Sequence, residues 1–586
     1  MKAYRYLLMA LLAAFSAVSC DYLDKKAETE GLSHEDVFGD AINYENYVEW
    51  VLQNPIIRHA KAGTAPYGTW DDVADNSMST MRFVNPSSLA ASGDYSKMIT
   101  QDRCTGVNGT VWTKAWKHVR ICNNGIVNID KFPGDEETRD KILGMCFFYR
   151  GFAYFEICRR WGGMPYFTEP LDLSSADLDF VREDIQTTYL KAAEDFAQAA
   201  ELLKPVVPES EWQHPTSVAA LAMRSRALLY AASPLAAEEG GVARESLWEE
   251  AAKAADEAIK LAEDNGYALA AEADYYYIFK GARHDVYTKE VLLGRWYSIA
   301  WGSDAYQQTI RPPGDLAGKY GPATNQTFVD CFDMTNGYPI TDPKSGYNPQ
   351  DPYKDRGSRF EHNILHHGSK PYGGRFTMEL YNATEGSTVQ GSKHLSYTSG
   401  EITEGYTTTG TYASKWLGDQ WNTKLEHVWP EIRIAELYLN FAEAAAEAGY
   451  GVDEKRNGSR YSPLEALNLI RNRGGVADLP VEYQTVQRFK ERVANERRVE
   501  LCFEDHRFWD IKRLKIGTKI DQNMYRVHIT KLAAGYDPTV YPTGLKFDYE
   551  TGALVRRYVY EEKHHLFPIN RDDTWIGPDF AQNPGW

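Results

Sequence analysis

Glu496, Glu500 and Glu504 follow one another at four-residue intervals. Paired carboxylates about 5–9.5 Å apart across a sugar bond are the machinery of glycoside hydrolysis. Here the acids are flanked by Arg497, Arg498 and Arg507. Neighbouring guanidinium groups keep a carboxyl ionised, whereas a general acid needs a raised pKa. The reading is therefore against catalysis. His362 and His366 are four apart, with His367 beside them, a spacing that could turn imidazoles toward a metal from one helix face. Gly368 and Pro371 follow, and no carboxylate pattern completes a site, so loop histidines and no metal are expected. The chain has no phosphate-binding loop, no H-E-x-x-H and no G-x-S-x-G elbow. No cofactor is expected.

Cys20 is set for a different chemistry. It closes a segment with Lys2 and Arg5 at its start, the apolar run Leu7–Phe15 and the small residues Ser16 to Ser19. That order is the grammar of an export signal. The run is too short for the ~20 residues that cross a bilayer as a helix. A cysteine directly after the small residues resembles a bacterial lipobox, in which the signal is cleaved and the cysteine is acylated with palmitate-like chains. Stable anchoring takes more than one such chain. Loss of residues 1–19 removes two cations and no acid, taking the net charge from −18 to −20. Such a surface repels phosphate backbones, so nucleic acid is not an expected partner. The most apolar later stretch, 217–237, contains Arg224 and Arg226 and is no membrane span. No C-x-x-C pair occurs among the remaining cysteines, and their spacing names no disulfide. The 38 Tyr and 15 Trp point to an exposed recognition surface.

These groups must be positioned by helices. Ile185, Tyr189, Ala192, Phe196, Ala200 and Leu203 form one stripe, ended by Pro205 and Pro208. Val218, Leu221, Ala222, Ser225, Leu229 and Ala232 form a second, ended by Pro234, and Trp248 to Ala262 a third. Residues 270–430 lose such stripes and carry β-like runs such as Glu290–Gly294 among long loops. Helix returns at Ile434–Ala448 and after Ser462-Pro463, where Gly474-Gly475 stops it. Alanine-rich paired helices resemble degenerate tetratricopeptide units. The expected organisation is a signal at 1–19, a lipidated tether at 20–40, a helical region at 41–269, and a region at 270–586 with a loop-rich insertion and closing helices.

Four segments, in order, carry a family resemblance. The first runs from Tyr149-Arg150-Gly151-Phe152-Ala153-Tyr154 to Arg160-Trp161-Gly162-Gly163-Met164-Pro165. The second spans Phe328 to Gly337 and Asp351 to Arg356, where the usual Arg-Asp-Pro-Arg-Phe stands as Arg356-Gly357-Ser358-Arg359-Phe360. The third is Glu496-Arg497-Arg498-Val499-Glu500-Leu501 through Phe503-Glu504 to Arg513, with Asp505 where glycine is frequent. The fourth is Leu566-Phe567-Pro568-Ile569 and Asn583-Pro584-Gly585-Trp586. Together they resemble the SusD-like family of outer-membrane nutrient-binding lipoproteins. Glu504 with Arg507, and Asp510 with Arg513, are three apart and expected to pair as helix neighbours.

The resemblance implies a mainly α fold of irregular tetratricopeptide-like pairs with a loop-rich insertion containing short β-strands. It implies a non-catalytic, surface-exposed, outer-membrane protein that binds a nutrient, an oligo- or polysaccharide first of all. A SusC-type TonB-dependent transporter would take the nutrient on, with this chain as its lid. A peptide-capturing relative, a helical-repeat scaffold and a surface glycoside hydrolase are the alternatives. Sugars present C–H faces to aromatic rings and hydroxyl rims to Asn and Asp. Two stretches offer that mixture, and the resemblance favours both as ligand-binding: Tyr67, Trp70, Asp72, Asp75 and Asn76, and Trp296, Tyr297, Trp301 and Tyr306. Trp416 and Trp421 are secondary candidates.

Overall fold

Ser33 starts the folded body. Its hydroxyl accepts the Asp36 amide, and the Asp36 carboxylate accepts the Ser33 amide, closing a capping box on α1 (His34–Phe38). Phe38 then packs edge-on against Tyr44 and Tyr47 of α2 (Ala41–Gln53), with ring centroids 5.0 and 5.2 Å away. Residues 33–40, expected in the tether, are therefore part of the core-forming chain. The reason is local: a cap and one buried ring. The computed structural model describes residues 32–56, 70–81, 86–100, 111–171, 180–280, 289–297, 310–398, 401–418, 427–549, 554–569 and 580–586. Cys20 and the export signal lie outside the described residues.

The stack continues through α3 (Val111–Val127), α4 (Glu136–Trp161), α5 (Ile185–Leu202), α6 (Ser217–Ala232) and α7 (Arg244–Asp264), each packed on the next. Asp135, Asp184 and Thr216 cap α4, α5 and α6 by accepting an amide three residues on. The predicted stripes face inward: Ala192, Phe196, Leu229, Ala252, Ala255 and Ile259 are all buried. Alanine at these positions lets helix backbones come close. α7 next packs on α8 (Ile434–Glu447), which arrives in the sequence only after the insertion, and α8 packs on α9 (Pro463–Arg473) and α10 (Val486–Glu500). The stack is thus interrupted in the chain but continuous in space. A short α11 (Arg507–Arg513) follows.

The insertion, and the segments of the chain packed with it, are built from short pairings. β1 (Val291–Tyr297) and β2 (His427–Arg433) form an antiparallel ribbon. Ser77–Met78, Ala323–Thr324, Tyr412–Ala413 and Ile364–Leu365 make a small antiparallel sheet in that order. β3 (His528–Lys531) and β4 (Leu545–Asp548) form a hairpin. The Gln350 side chain pairs with Phe547 through both its donor and its acceptor (2.8 and 2.9 Å), covering the β4 edge as another strand would. One apolar core runs the length of the stack and takes in Trp509 and Phe567, and smaller cores lie under the insertion. Among the described residues, no helix is long and apolar enough to cross a membrane.

Candidate functional site

The three carboxylates that could have done acid–base chemistry lie in a buried charge cluster. Glu500 is paired with Arg359 (2.9 Å), Arg433 (2.8 Å) and Arg473. Glu504 is paired with Lys415 (2.6 Å) and Arg433 (2.7 Å), and Glu496 with Arg359 (2.5 Å) and Arg471 (3.3 Å). Glu290, just before β1, adds contacts to Arg433 and Arg473. Burial pushes the Glu500 carboxyl up, but Arg473, Arg433, Arg359 and Lys415 outweigh it and hold the group well below the carboxylate range. Glu504 is held down the same way by Arg433 and Lys415, against its burial. The cluster clamps the base of the ribbon to α9 and α10. Glu504 does not pair with Arg507 as expected, because α10 ends at Glu500 and a turn with left-handed Phe503 (φ 61°) and Asp505 (φ 65°) redirects the chain before α11. Asp510 does pair with Arg513, at 2.7 Å.

The first predicted ligand stretch is used internally. Trp70 is 7% exposed, stacked on Phe508 (4.8 Å, 14°) and edge-on to Trp509 (5.3 Å). Its amide donates to the Asp505 carboxylate (2.6 Å). Asp72 accepts the Ser77 hydroxyl, and its carbonyl accepts the Tyr558 hydroxyl. Asp75 takes two bonds from Arg507 (2.7 and 2.8 Å) and an ion pair from Arg498 (3.1 Å). Burial would raise its pKa, yet the two arginines bring it to about 2. Asn76 donates to Asp71 and accepts from Arg498. Trp70, Asp75 and Asn76 thus fasten residues 70–78 to α10 and α11, while the Asp72 carboxylate closes on Ser77 within the segment. Tyr67 lies outside the described residues.

The second stretch continues from the end of the ribbon. The backbones of Trp296 and Tyr297 pair with Val428 and His427 at the end of the ribbon away from the charge cluster. Trp301, Tyr306 and Trp421 lie outside the described residues. Trp416 is internal, stacked on Trp429 at 4.3 Å and donating to the Phe503 carbonyl. Arg295 turns inward to the Leu52 carbonyl in the last turn of α2 (3.2 Å). The ribbon end and the end of α2 are therefore neighbours. Trp50, half-buried on α2, stands beside this junction with the Lys117 ammonium 4.0 Å over its ring. In the sequence Trp50 looks like one more position of an amphipathic helix.

The histidine group is divided among separate partners. His362 stacks on Tyr276 (4.6 Å), His366 stacks on Tyr353 (4.1 Å) and faces Glu361, and His367 accepts the Leu380 amide. Among the described residues, no group of three His, Cys, Asp or Glu side chains could hold a metal. Elsewhere, a cleft of about 800 Å³ between α6, α7 and α8 is lined by Leu221, Asp256, Lys260, Phe441, Tyr450 and Arg456, and its Lys260 and Asp256 already pair at 2.6 Å.

Two profiles match the chain. One, described as the SusD family, covers residues 294–586, and the other, described as starch-binding associating with outer membrane, covers residues 21–229. A SusD-like protein of Formosa agariphila is 22% identical over 427 residues, 71% of this chain and 73% of that protein. Among solved structures, a SusD-like protein from Bacteroides fragilis superposes with a TM-score of 0.70 at 23% identity, over 96% of this chain and all of the other. A SusD-like carbohydrate-binding protein from the same species superposes with a TM-score of 0.67 at 19% identity, over 93% of this chain and all of the other.

Proposed function

This chain belongs to the SusD family, and on that premise we propose that it is a cell-surface protein that captures a glycan and delivers it to a SusC-type TonB-dependent transporter in the outer membrane. Acylated Cys20 would be its anchor. The observation that carries the reading is the location of the acids: Glu496, Glu500 and Glu504 are locked to buried cations, which supports holding a sugar over cleaving one. Tyr67, Trp296, Tyr297, Trp301 and Tyr306 would supply rings to the sugar.

The test is an array of plant, fungal and host oligosaccharides probed with the lipid-free protein, followed by calorimetry on the retained sugar. Saturable binding without release of shorter products is expected. Retention of oligopeptides in place of sugars, or turnover of the bound sugar, overturns the reading. In cells, a tagged copy should bring down a β-barrel transporter, and Cys20→Ser should leave the protein unprocessed or released from the outer-membrane fraction.

A further inference from the structure

α11 and the last turn of α4 enclose a cavity of about 10 Å³, room for one water or one monatomic ion and nothing larger. Its polar wall comes from Arg159 of α4, Tyr189 of α5, Tyr230 of α6, and Trp509, Lys512 and Arg513 of α11. The rest of the wall is aliphatic. Among the described residues no carboxylate lines it, and two buried N–H groups of its wall have no partner, Nε of Arg159 and Nε1 of Trp509. Trp509 is 1% exposed, and a buried indole N–H ordinarily finds an acceptor. Buried donors left over in this way call for a water or an ion. Charge decides between the two. Arg159 is answered by Glu156 (2.6 Å), and Arg513 by Asp510 (2.7 Å) and Glu443 (2.6 Å). Lys512 has no such acid. Its ammonium donates to the His564 and His565 carbonyls (2.8 and 3.3 Å) and lies 4.0 Å over the Phe567 ring. Burial and the neighbouring Arg160 charge push it well below the usual ammonium range. A negative ion beside it would offset both effects, and a water would offset neither.

We propose that this cavity binds one small inorganic anion of chloride size, held by Arg159, Trp509 and Lys512 and joining α4 to α11. The guanidinium and indole N–H groups donate to the ion, and Lys512 supplies its counter-charge. Sulfate and phosphate are too large for the cavity. The ion ties the first family segment, which holds Arg159, to the third, which holds Trp509 and Lys512. Binding to the folded state alone makes it a stabilising ligand.

Two measurements on the mature protein test this. Crystals soaked in sodium bromide, with data collected at the bromine absorption edge, should show an anomalous peak in the cavity beside Trp509 Nε1. Urea unfolding is then followed in sodium chloride and in sodium gluconate at equal ionic strength, gluconate being too large to enter. Exchanging gluconate for chloride should raise the wild-type folding constant about tenfold, as for a ligand present at about ten times its dissociation constant. Trp509→Phe keeps a ring and removes the donor, and Lys512→Met keeps the stem and removes the charge. In each, the chloride effect should fall below about twofold. Every variant is compared with itself in the two salts, so packing lost through the substitution cancels. Absence of the bromide peak overturns the proposal, since a water then fills the cavity. A peak accompanied by the same chloride effect in wild type and Trp509→Phe marks an adventitious ion only, and overturns it as well. Should Lys512→Met fail to fold, the bromide map and Trp509→Phe decide the matter.

Discussion

The helical stack and the charge cluster beneath the insertion both join segments distant in sequence, by opposite means. In the stack, α5, α6 and α7 meet through Ala192, Ala222, Ala252 and Ala255, where the small side chain is itself the adhesive surface. At the base of the ribbon, Arg359, Lys415, Arg433 and Arg473 meet Glu290, Glu500 and Glu504, all of them out of water. Apolar contacts of this kind tolerate substitution so long as volume is kept. A buried ion network does not, because removing one member strands the charges that faced it. The third family segment, Glu496 to Arg513, supplies Glu500 and Glu504 to the second kind of contact.

The largest effect should come from breaking that clamp. Arg433 serves three carboxylates at once, and Arg433→Met would leave Glu290, Glu500 and Glu504 sharing fewer cations. A loss of about 3–5 kcal/mol is expected in urea unfolding. A variant within 1 kcal/mol of wild type at neutral pH would mean that the cluster relaxes with water and is no clamp.

The next effect separates two acids four residues apart. Asp75 faces Arg498 and Arg507 and is held at about 2, whereas buried Asp71 neighbours Asp505 and Asp72 and is pushed up to about 7 by its burial. The signs are opposite. Asp75, depressed in the fold, contributes stability above the unfolded carboxylate range and loses it as pH falls. Asp71, raised in the fold, favours folding while neutral, and that stability is lost as pH climbs from about 4 through about 7. Asp71→Asn should remove the second trend. Its stability relative to wild type is expected to rise by about 2–3 kcal/mol between pH 5 and pH 8, at ~1.4 kcal/mol per pKa unit. Parallel stability curves for the two proteins across that range would refute it.

The same contrast explains what could be read from the chain. Stripes such as Ile185–Leu203 and Val218–Ala232, with a cap before and a proline after, decide helices from neighbours within a few residues. The helices observed, Ile185–Leu202 and Ser217–Ala232, agree with these stripes to within a residue, and the Ser462-Pro463 start is a full capping box with Glu465. α1 falls in the stretch expected as a tether because five residues carry no stripe. The site was harder. Trp70-Asp71-Asp72 reads as polar and exposed in any local window, yet the partners that bury it, Arg498, Asp505, Arg507 and Phe508, lie more than four hundred residues away. One signal was available: Asp505 stands where the family favours glycine. A left-handed position held by Asp, which tolerates that backbone better than most residues, uses the side chain to take the Trp70 amide.

The smallest expected effect tests whether burial, and not charge as such, separates the two regions. Within α6, Arg224 and Arg226 are two residues apart and each pairs with a glutamate of another helix. Arg224 meets Glu257 of α7 at 3.0 Å with side chains 32% and 57% exposed. Arg226 meets Glu436 of α8 at 2.7 Å with side chains 6% and 1% exposed, and also donates to the Glu431 carbonyl. An exposed pair gains little over its hydrated ions and is screened by salt, so Arg224→Gln should change stability by about 0.2–1 kcal/mol, less at 0.5 M salt. Arg226→Gln leaves Glu436 buried with less compensation and should lose several times more, with little salt dependence. Equal losses at the two positions would place the strength of these contacts in charge alone. A loss at Arg224 as large as that at Arg433 would make the stack a charge-held structure too, and the distinction between the two regions would disappear.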